Sequence, residues 1–138
     1  MSEVDLDGLC AHALRGYPLE ACGLLVGEWR GDSVRRFVPT PNAAASSRIY
    51  EVDGRDFMAA ERAADDEELA IIGVAHSHTH TDAYPSPTDV AAAPDPSWHY
   101  PIVSLRGDEP VVRSFRIVDG EVTEEEIVVT AGRPPTSR

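Results

Sequence analysis

The chain has 138 residues, a length that fits one compact domain and leaves little room for a second. With 42% apolar and 26% charged residues it has the composition of an ordinary soluble globular protein, which excludes fibrous, collagenous and wholly disordered classes. Twenty-four acids against 12 bases, all of them arginine, give a formal net charge of −12, so neither nucleic acid nor an anionic membrane is an expected partner. The longest nearly uncharged apolar run, residues 69–75, is far shorter than the roughly 20 residues of a membrane span. Acids within residues 1–7 stand where a signal peptide would need a basic start and an apolar stretch. Cys10 and Cys22 are too few for a disulfide framework and read as free thiols of a reducing cytoplasm, the expected location.

Residues 5–15 place Leu6, Leu9, Ala13 and Leu14 near one face of a helix, with Asp5 available as its cap and Gly16-Tyr17-Pro18 as its stop. His12 reads as a surface residue of that helix. Residues 22–29 and 34–38 are apolar or alternating runs around Arg30-Gly31-Asp32-Ser33, the pattern of a hairpin. Residues 39–47 read as a loop, 48–52 as a short strand, and 54–66, without a breaker, as a second helix. The run Leu69 to Ala75 is short, β-rich and almost continuously apolar, as expected of a strand buried on both faces. A polar loop and a short helix over 87–93 follow. Strands are then expected over 100–105, 111–118 and 121–129, the last two joined at Asp119-Gly120. Trp98 and Tyr100 read as core or loop anchors, and 131–138 as a flexible tail. This order predicts a single domain over 1–130 of mixed α/β class, one mixed sheet flanked by helices.

The chemistry is concentrated in His76 to Asp89, HSHTHTDAYPSPTD. His76 and His78 end the buried strand two residues apart, so strand periodicity aims both imidazoles to one side and Ser77 to the other. Open sheets place ligand crevices at the carboxyl ends of such strands. Two imidazoles, one carboxylate and a water form the open tetrahedral site of hydrolytic zinc, and Asp89 is a candidate third ligand. The same residues have plainer readings: His-x-His as a polar strand end, and Ser86-Pro87-Thr88-Asp89 as a helix-capping box. A helix start would hold Asp89 while one of its oxygens faces a metal, so the readings are compatible. If the strand continued, His76, His78 and His80 would share a face as a three-histidine site, whereas the Thr, Asp and Pro nearby favour a loop. Glu20, between a helix stop and an apolar strand, reads by itself as a solvated turn residue.

Glu20, His76-Ser77-His78, seven intervening residues, Ser86, two more and Asp89 match the JAMM signature of the MPN-domain zinc metallopeptidases at every signature position. PLEACGLLVG, HSH…AYPSPTDV, His99-Tyr100 and FRIVDGEVTEE extend the resemblance over nearly the whole chain. It resembles the bacterial branch that hydrolyses adducts at the C-terminus of ubiquitin-like sulfur-carrier proteins. The resemblance implies a mixed sheet with cytidine-deaminase-like layering and one Zn2+ per chain on His76, His78 and Asp89. It also implies Glu20 as the base acting on the water and Ser86 as a hydrogen-bond donor to the water or the developing oxyanion. The implied reaction is cleavage after the carrier's C-terminal Gly-Gly, releasing cysteine as a step of cysteine biosynthesis.

Alternatives are release of another residue or peptide, lysine isopeptide cleavage, and a non-catalytic MPN scaffold. The metal ligands are typically lost in such scaffolds, and all five signature residues are present here. A zinc deaminase needs H-x-E and P-C-x-x-C, and neither occurs. Arg35, Arg36 and Arg48 are candidate docking points for a carrier, whose extended tail is expected to cross the crevice or to add a strand to a sheet edge. Nothing in the composition or patterning sets an oligomeric state.

Overall fold

The computed structural model describes residues 1–131, which run in the order α1 (Glu3–Gly16), β1 (Cys22–Gly27), β2 (Val34–Thr40), α2 (Gly54–Asp66), β3 (Ala70–His78), α3 (Pro87–Ala92), β4 (Tyr100–Ser104), β5 (Val111–Val118) and β6 (Glu121–Glu125). Of the tail expected over 131–138, residues 132–138 lie outside the described residues. The strands form a mixed sheet in the order β2-β1-β3-β4-β5-β6. Only the β3–β4 pair is parallel, as the intervening crossover through α3 requires.

Two apolar layers hold the helices to opposite faces of the sheet. Leu9 and Ala13 of α1 pack with Leu25, Phe37, Ile72, Ala75 and Val103, while Ala60 and Ala64 of α2 pack with Leu24, Val26, Ile71, Val74, Tyr100 and Ile117. Fully burying each Leu, Ile, Val or Phe among them contributes about 1.5–3 kcal/mol, before the opposing conformational entropy. Leu24 and Leu25 alternate between the layers, so β1 is buried from end to end, and β3 is buried from Ile71 to His78. Across β1, Leu25 faces Gly73 while Val26 faces Ile71, so β3 carries one extra residue at Ile72. This bulge sets the phase of the strand's carboxyl half.

The structure departs from the sequence expectations at four places. Ser2, not Asp5, caps α1: its hydroxyl accepts the Asp5 N–H at 3.1 Å and donates to Asp5 Oδ2 at 3.0 Å. Asp5 lies in the helix's first turn, where its Oδ1 accepts the Phe37 N–H at 3.3 Å. His12 is half-buried, with Nε2 at 2.8 Å from the Cys22 carbonyl and 3.2 Å from that of Thr40. Two acceptors require the proton on Nε2, so His12 clamps the β1–β2 pair instead of facing solvent. Residues 48–52 do not form a strand, because the Asn42 side chain meets their backbone groups. Asn42 Oδ1 accepts the Glu51 N–H at 2.9 Å and Nδ2 donates to the Ile49 carbonyl at 2.9 Å, a side-chain alternative to a ladder. The last strand stops at Glu125; beyond it the chain turns back to Met1 and Ser2, where the Thr130 N–H donates to the Met1 carbonyl at 2.9 Å.

Candidate metal centre

The end of β3 and the start of α3 bring three donor atoms together. His76 Nε2, His78 Nε2 and Asp89 Oδ2 stand 3.0 to 3.2 Å from one another, and all three residues are buried. The strand period puts both imidazoles on one face. Ser77 Oγ accepts the Ala21 N–H at 2.8 Å, and the Ser77 N–H donates to the Ala21 carbonyl at 2.9 Å. These two bonds fix the segment carrying Glu20 to the strand carrying the histidines.

Asp89 reaches the cluster through the helix cap. Ser86 Oγ accepts the Asp89 N–H at 3.1 Å, and Asp89 Oδ2 accepts the Ser86 N–H at 2.9 Å. Pro87 at the first helical position makes the turn abrupt. His78 Nδ1 donates to the Asp82 carbonyl at 2.8 Å, which directs the lone pair of neutral His78 from Nε2 into the cluster. His76 is held differently: its buried Nδ1 has no hydrogen-bond partner among the described residues, and its ring stacks on Tyr50 with centroids 4.3 Å apart.

The electrostatics follow from this packing. Burial pulls the His76 pKa below its ordinary value. Burial also opposes the charged form of His78, but Asp89 and the Asp82 carbonyl outweigh it and the pKa is raised. For Asp89, burial acts upward and is overcome by hydrogen bonds from His76, His78 and the Ser86 backbone, leaving the carboxyl well below the usual range. Glu20 is pushed up to about 7, first by burial, with His78 opposing and Asp89 assisting. Its Oε1 is buried and has no hydrogen-bond partner among the described residues.

These donors fit a divalent cation. Tetrahedral ligands about 2.0–2.1 Å from an ion stand roughly 3.3 Å apart, close to the spacing here. Without a cation, Asp89 Oδ2 can be shared by both imidazoles only if their Nε2 protons face each other across 3.2 Å. A cation takes all three lone pairs and removes that conflict. Two imidazoles and one carboxylate also leave positions open for water and substrate.

A cavity of about 560 Å³ opens beside the cluster, lined by Glu20, Arg48, His78, His80 and Ser86 among others. Glu20 and Ser86 therefore share one opening with the histidine-bearing end of β3. His80 is exposed, sits in the loop after β3 and meets the Tyr17 ring edge-on, outside the three-atom cluster. Of the three candidate docking arginines only Arg48 lies at this opening. Arg36 is paired bidentately with Glu67, and Arg35 stands 3.4 Å from Glu28. The ligands of the cluster lie on β3 and α3, and neither edge strand, β2 or β6, carries one. Tyr50 and Asn42, which hold His76 and the Glu20 backbone, follow no periodic pattern and escaped the sequence reading. Asn42 Nδ2 donates to the Glu20 carbonyl at 2.9 Å.

Comparison with known proteins gives the chain's relatives. Residues 2–118 match the family of prokaryotic homologs of the JAB domain. The chain is 42% identical over 125 residues, 90% of its length and 86% of the relative's, to a "CysO-cysteine peptidase" of Mycobacterium tuberculosis. It is 34% identical over 112 residues, 80% of its length and 70% of the relative's, to a "Probable TtuB-protein conjugate cleaving protease" of Thermus thermophilus. The solution structure of protein DSY2949 from Desulfitobacterium hafniense superposes with a TM-score of 0.85 at 36% identity, covering 94% of this chain and 91% of that one. No helix among the described residues is long and apolar enough to cross a membrane. With the family model spanning most of the chain and a relative at this identity over nearly all of it, the chain belongs to the prokaryotic JAB (JAB/MPN) domain family.

Proposed function

We propose that the chain is a zinc-dependent hydrolase of adducts on the C-terminal Gly-Gly of a ubiquitin-like sulfur carrier, releasing cysteine. The observation that carries the reading is the buried Glu20 Oε1, without a hydrogen-bond partner among the described residues, in the cavity beside the His76, His78 and Asp89 donors. His76, His78 and Asp89 would hold the ion. When bound, zinc lowers the pKa of water to about 7 and polarises a carbonyl.

The chain's own residues supply the rest. Glu20, desolvated and close to neutral pH in its affinity for a proton, accepts a proton from the attacking water and returns it to the leaving amine. The water oxygen bonds to the carbonyl carbon, the C–N bond breaks, and the products are the carrier's Gly-Gly carboxylate and free cysteine. The Ser86 hydroxyl donates toward the developing oxyanion, while its lone pair keeps the Asp89 N–H. A preorganised donor of that kind is worth roughly 3 kcal/mol. Gly-Gly suits the path because a tail without Cβ atoms lies close against the buried cluster.

The CysO-cysteine peptidase relative supports cysteine as the leaving group, and the TtuB-conjugate cleaving relative favours an isopeptidase as the second reading. Mass spectrometry of products from a carrier-Gly-Gly-Cys adduct, a lysine isopeptide-linked carrier conjugate and a free peptide of the same end sequence separates the two. Fastest cleavage of the cysteine adduct, after the second glycine, is expected. Equal or faster cleavage of the isopeptide promotes the deconjugase reading, and no cleavage by zinc-loaded protein leaves a scaffold.

A further inference from the structure

We propose that Arg48 binds the free α-carboxylate of the leaving residue, making the site selective for a single C-terminal residue over an internal or isopeptide bond; this rests on the carrier-adduct reading above. Arg48 is exposed, but its backbone is held on both sides. Ser46 Oγ accepts the N–H groups of Arg48 at 3.0 Å and Ile49 at 3.3 Å, and Thr79 Oγ1 donates to the Ser47 carbonyl at 3.3 Å. The Glu20 N–H donates to the Ser46 carbonyl at 2.8 Å. The arginine is thereby mounted on the segment that carries Glu20 and on the end of β3.

Arg48 lines the same cavity as Glu20, His78 and Ser86. Among the described residues its guanidinium has neither an ion pair nor a hydrogen bond, whereas Arg106, bonded to Asp82 at 2.8 Å, is already engaged. The position relative to Glu20 assigns its partner. Glu20 returns a proton to the leaving nitrogen and must face it, so a cation in Glu20's cavity stands beside the leaving residue. In a C-terminal cysteine adduct the α-carboxylate is two bonds from that nitrogen. In a lysine isopeptide the nitrogen ends a long side chain, and in a longer C-terminal extension the same place is held by a neutral peptide group. A chain of net charge −12 repels a carboxylate overall, so a local guanidinium with its two-pronged donor geometry is what selects it.

The test is kinetic, with zinc-loaded wild type, Arg48→Ala and Arg48→Lys acting on two carrier-Gly-Gly-Cys adducts, one ending in the free acid and one in the carboxamide. Wild type is expected to favour the acid by about 10- to 100-fold in kcat/KM, the range of a hydrogen bond to a charged group. Arg48→Ala should bring the acid-to-amide ratio down to about one, and Arg48→Lys should restore part of the preference. The amide is the internal control, since a collapsed loop would slow both adducts alike. Equal loss on both, or a wild type indifferent to acid and amide, overturns the assignment. Cleavage of the acid adduct by wild type is the separate check on the underlying reading; if it fails, both fall.

Discussion

One oxygen of Asp89 does two jobs: Oδ2 accepts the Ser86 N–H at 2.9 Å and lies 3.0 Å from His78 Nε2. The capping box and the candidate metal cluster therefore share an atom, and substitutions separate the two roles. Asp89→Asn keeps an acceptor for Ser86 but removes the anionic ligand. It should fold with nearly the melting temperature of metal-free wild type and lose zinc, measured by metal analysis after dialysis. His78→Ala should lose the metal as well, while His80→Ala, outside the cluster, should retain it. Metal lost with His80→Ala and kept with Asp89→Asn would replace the carboxylate by a third imidazole.

Glu20→Gln should keep both fold and metal and lose hydrolysis by about 10² to 10⁴ in rate, the usual contribution of a positioned acid–base group. The amide is nearly isosteric but cannot take a proton from water. Turnover close to wild type would remove Glu20 from the reaction. Ser86→Ala should lower stability by about 1 kcal/mol through the lost cap and should also slow turnover. A stability loss with no change in rate would confine Ser86 to the cap.

The sheet and the cluster were legible because they rest on periodicity and spacing. An apolar run like Leu69 to Ala75 can only be a core element, and His-x-His at its end must put both rings on one side. The errors came where a side chain outcompetes a backbone pattern. Arg48 to Val52 alternates like a strand, yet the carbonyl and amide of Asn42 satisfy Ile49 and Glu51 and hold the segment as a strap over the site. Tyr50 then reaches His76 by stacking, a contact between loop and strand that no spacing rule encodes. Ser2 displaced Asp5 as a cap because a hydroxyl both accepts the Asp5 N–H and donates to its carboxylate.

Gly73 is a tight point of the β3–β4 crossing. A Cβ there would lie within 2.2 Å of the His99 carbonyl oxygen, the same atom that accepts the Val74 N–H at 3.2 Å. Backbone blocks the space, so Gly73→Ala forces β3 and β4 apart and should cost at least the 1–3 kcal/mol typical of overpacking. Urea unfolding measures it. Because the displaced strand carries His76 and His78, zinc affinity should fall too, and a variant as stable as wild type would show that the crossing can relax.

His99 and Glu125 set a pH window for stability. His99 Nδ1 donates to Glu125 Oε2 at 2.8 Å, its Nε2 donates to the Gly31 carbonyl at 2.9 Å, and Ser114 Oγ donates to the same Glu125 oxygen at 2.8 Å. With an acceptor at each nitrogen, the buried ring is doubly protonated, and it ties the β1–β2 turn to β5 and β6. The Glu125 hydrogen bond raises the His99 pKa above its ordinary 6.5. Burial pushes Glu125 up, but His99 and Ser114 outweigh it and hold it below its ordinary 4.5. A raised histidine contributes stability that is complete below 6.5 and lost as pH climbs through its folded value. A depressed carboxylate contributes stability present above 4.5 and lost as pH falls. The pair is therefore strongest between these limits. Glu125→Gln leaves exposed Asp32, 3.4 Å from Nε2, as the ring's remaining carboxylate partner and should cost about 2 kcal/mol at pH 5.5, with the deficit relative to wild type shrinking at pH 9 as His99 loses its proton. Urea midpoints of the two proteins across that range decide it, and a deficit independent of pH would mean that the ring is neutral throughout.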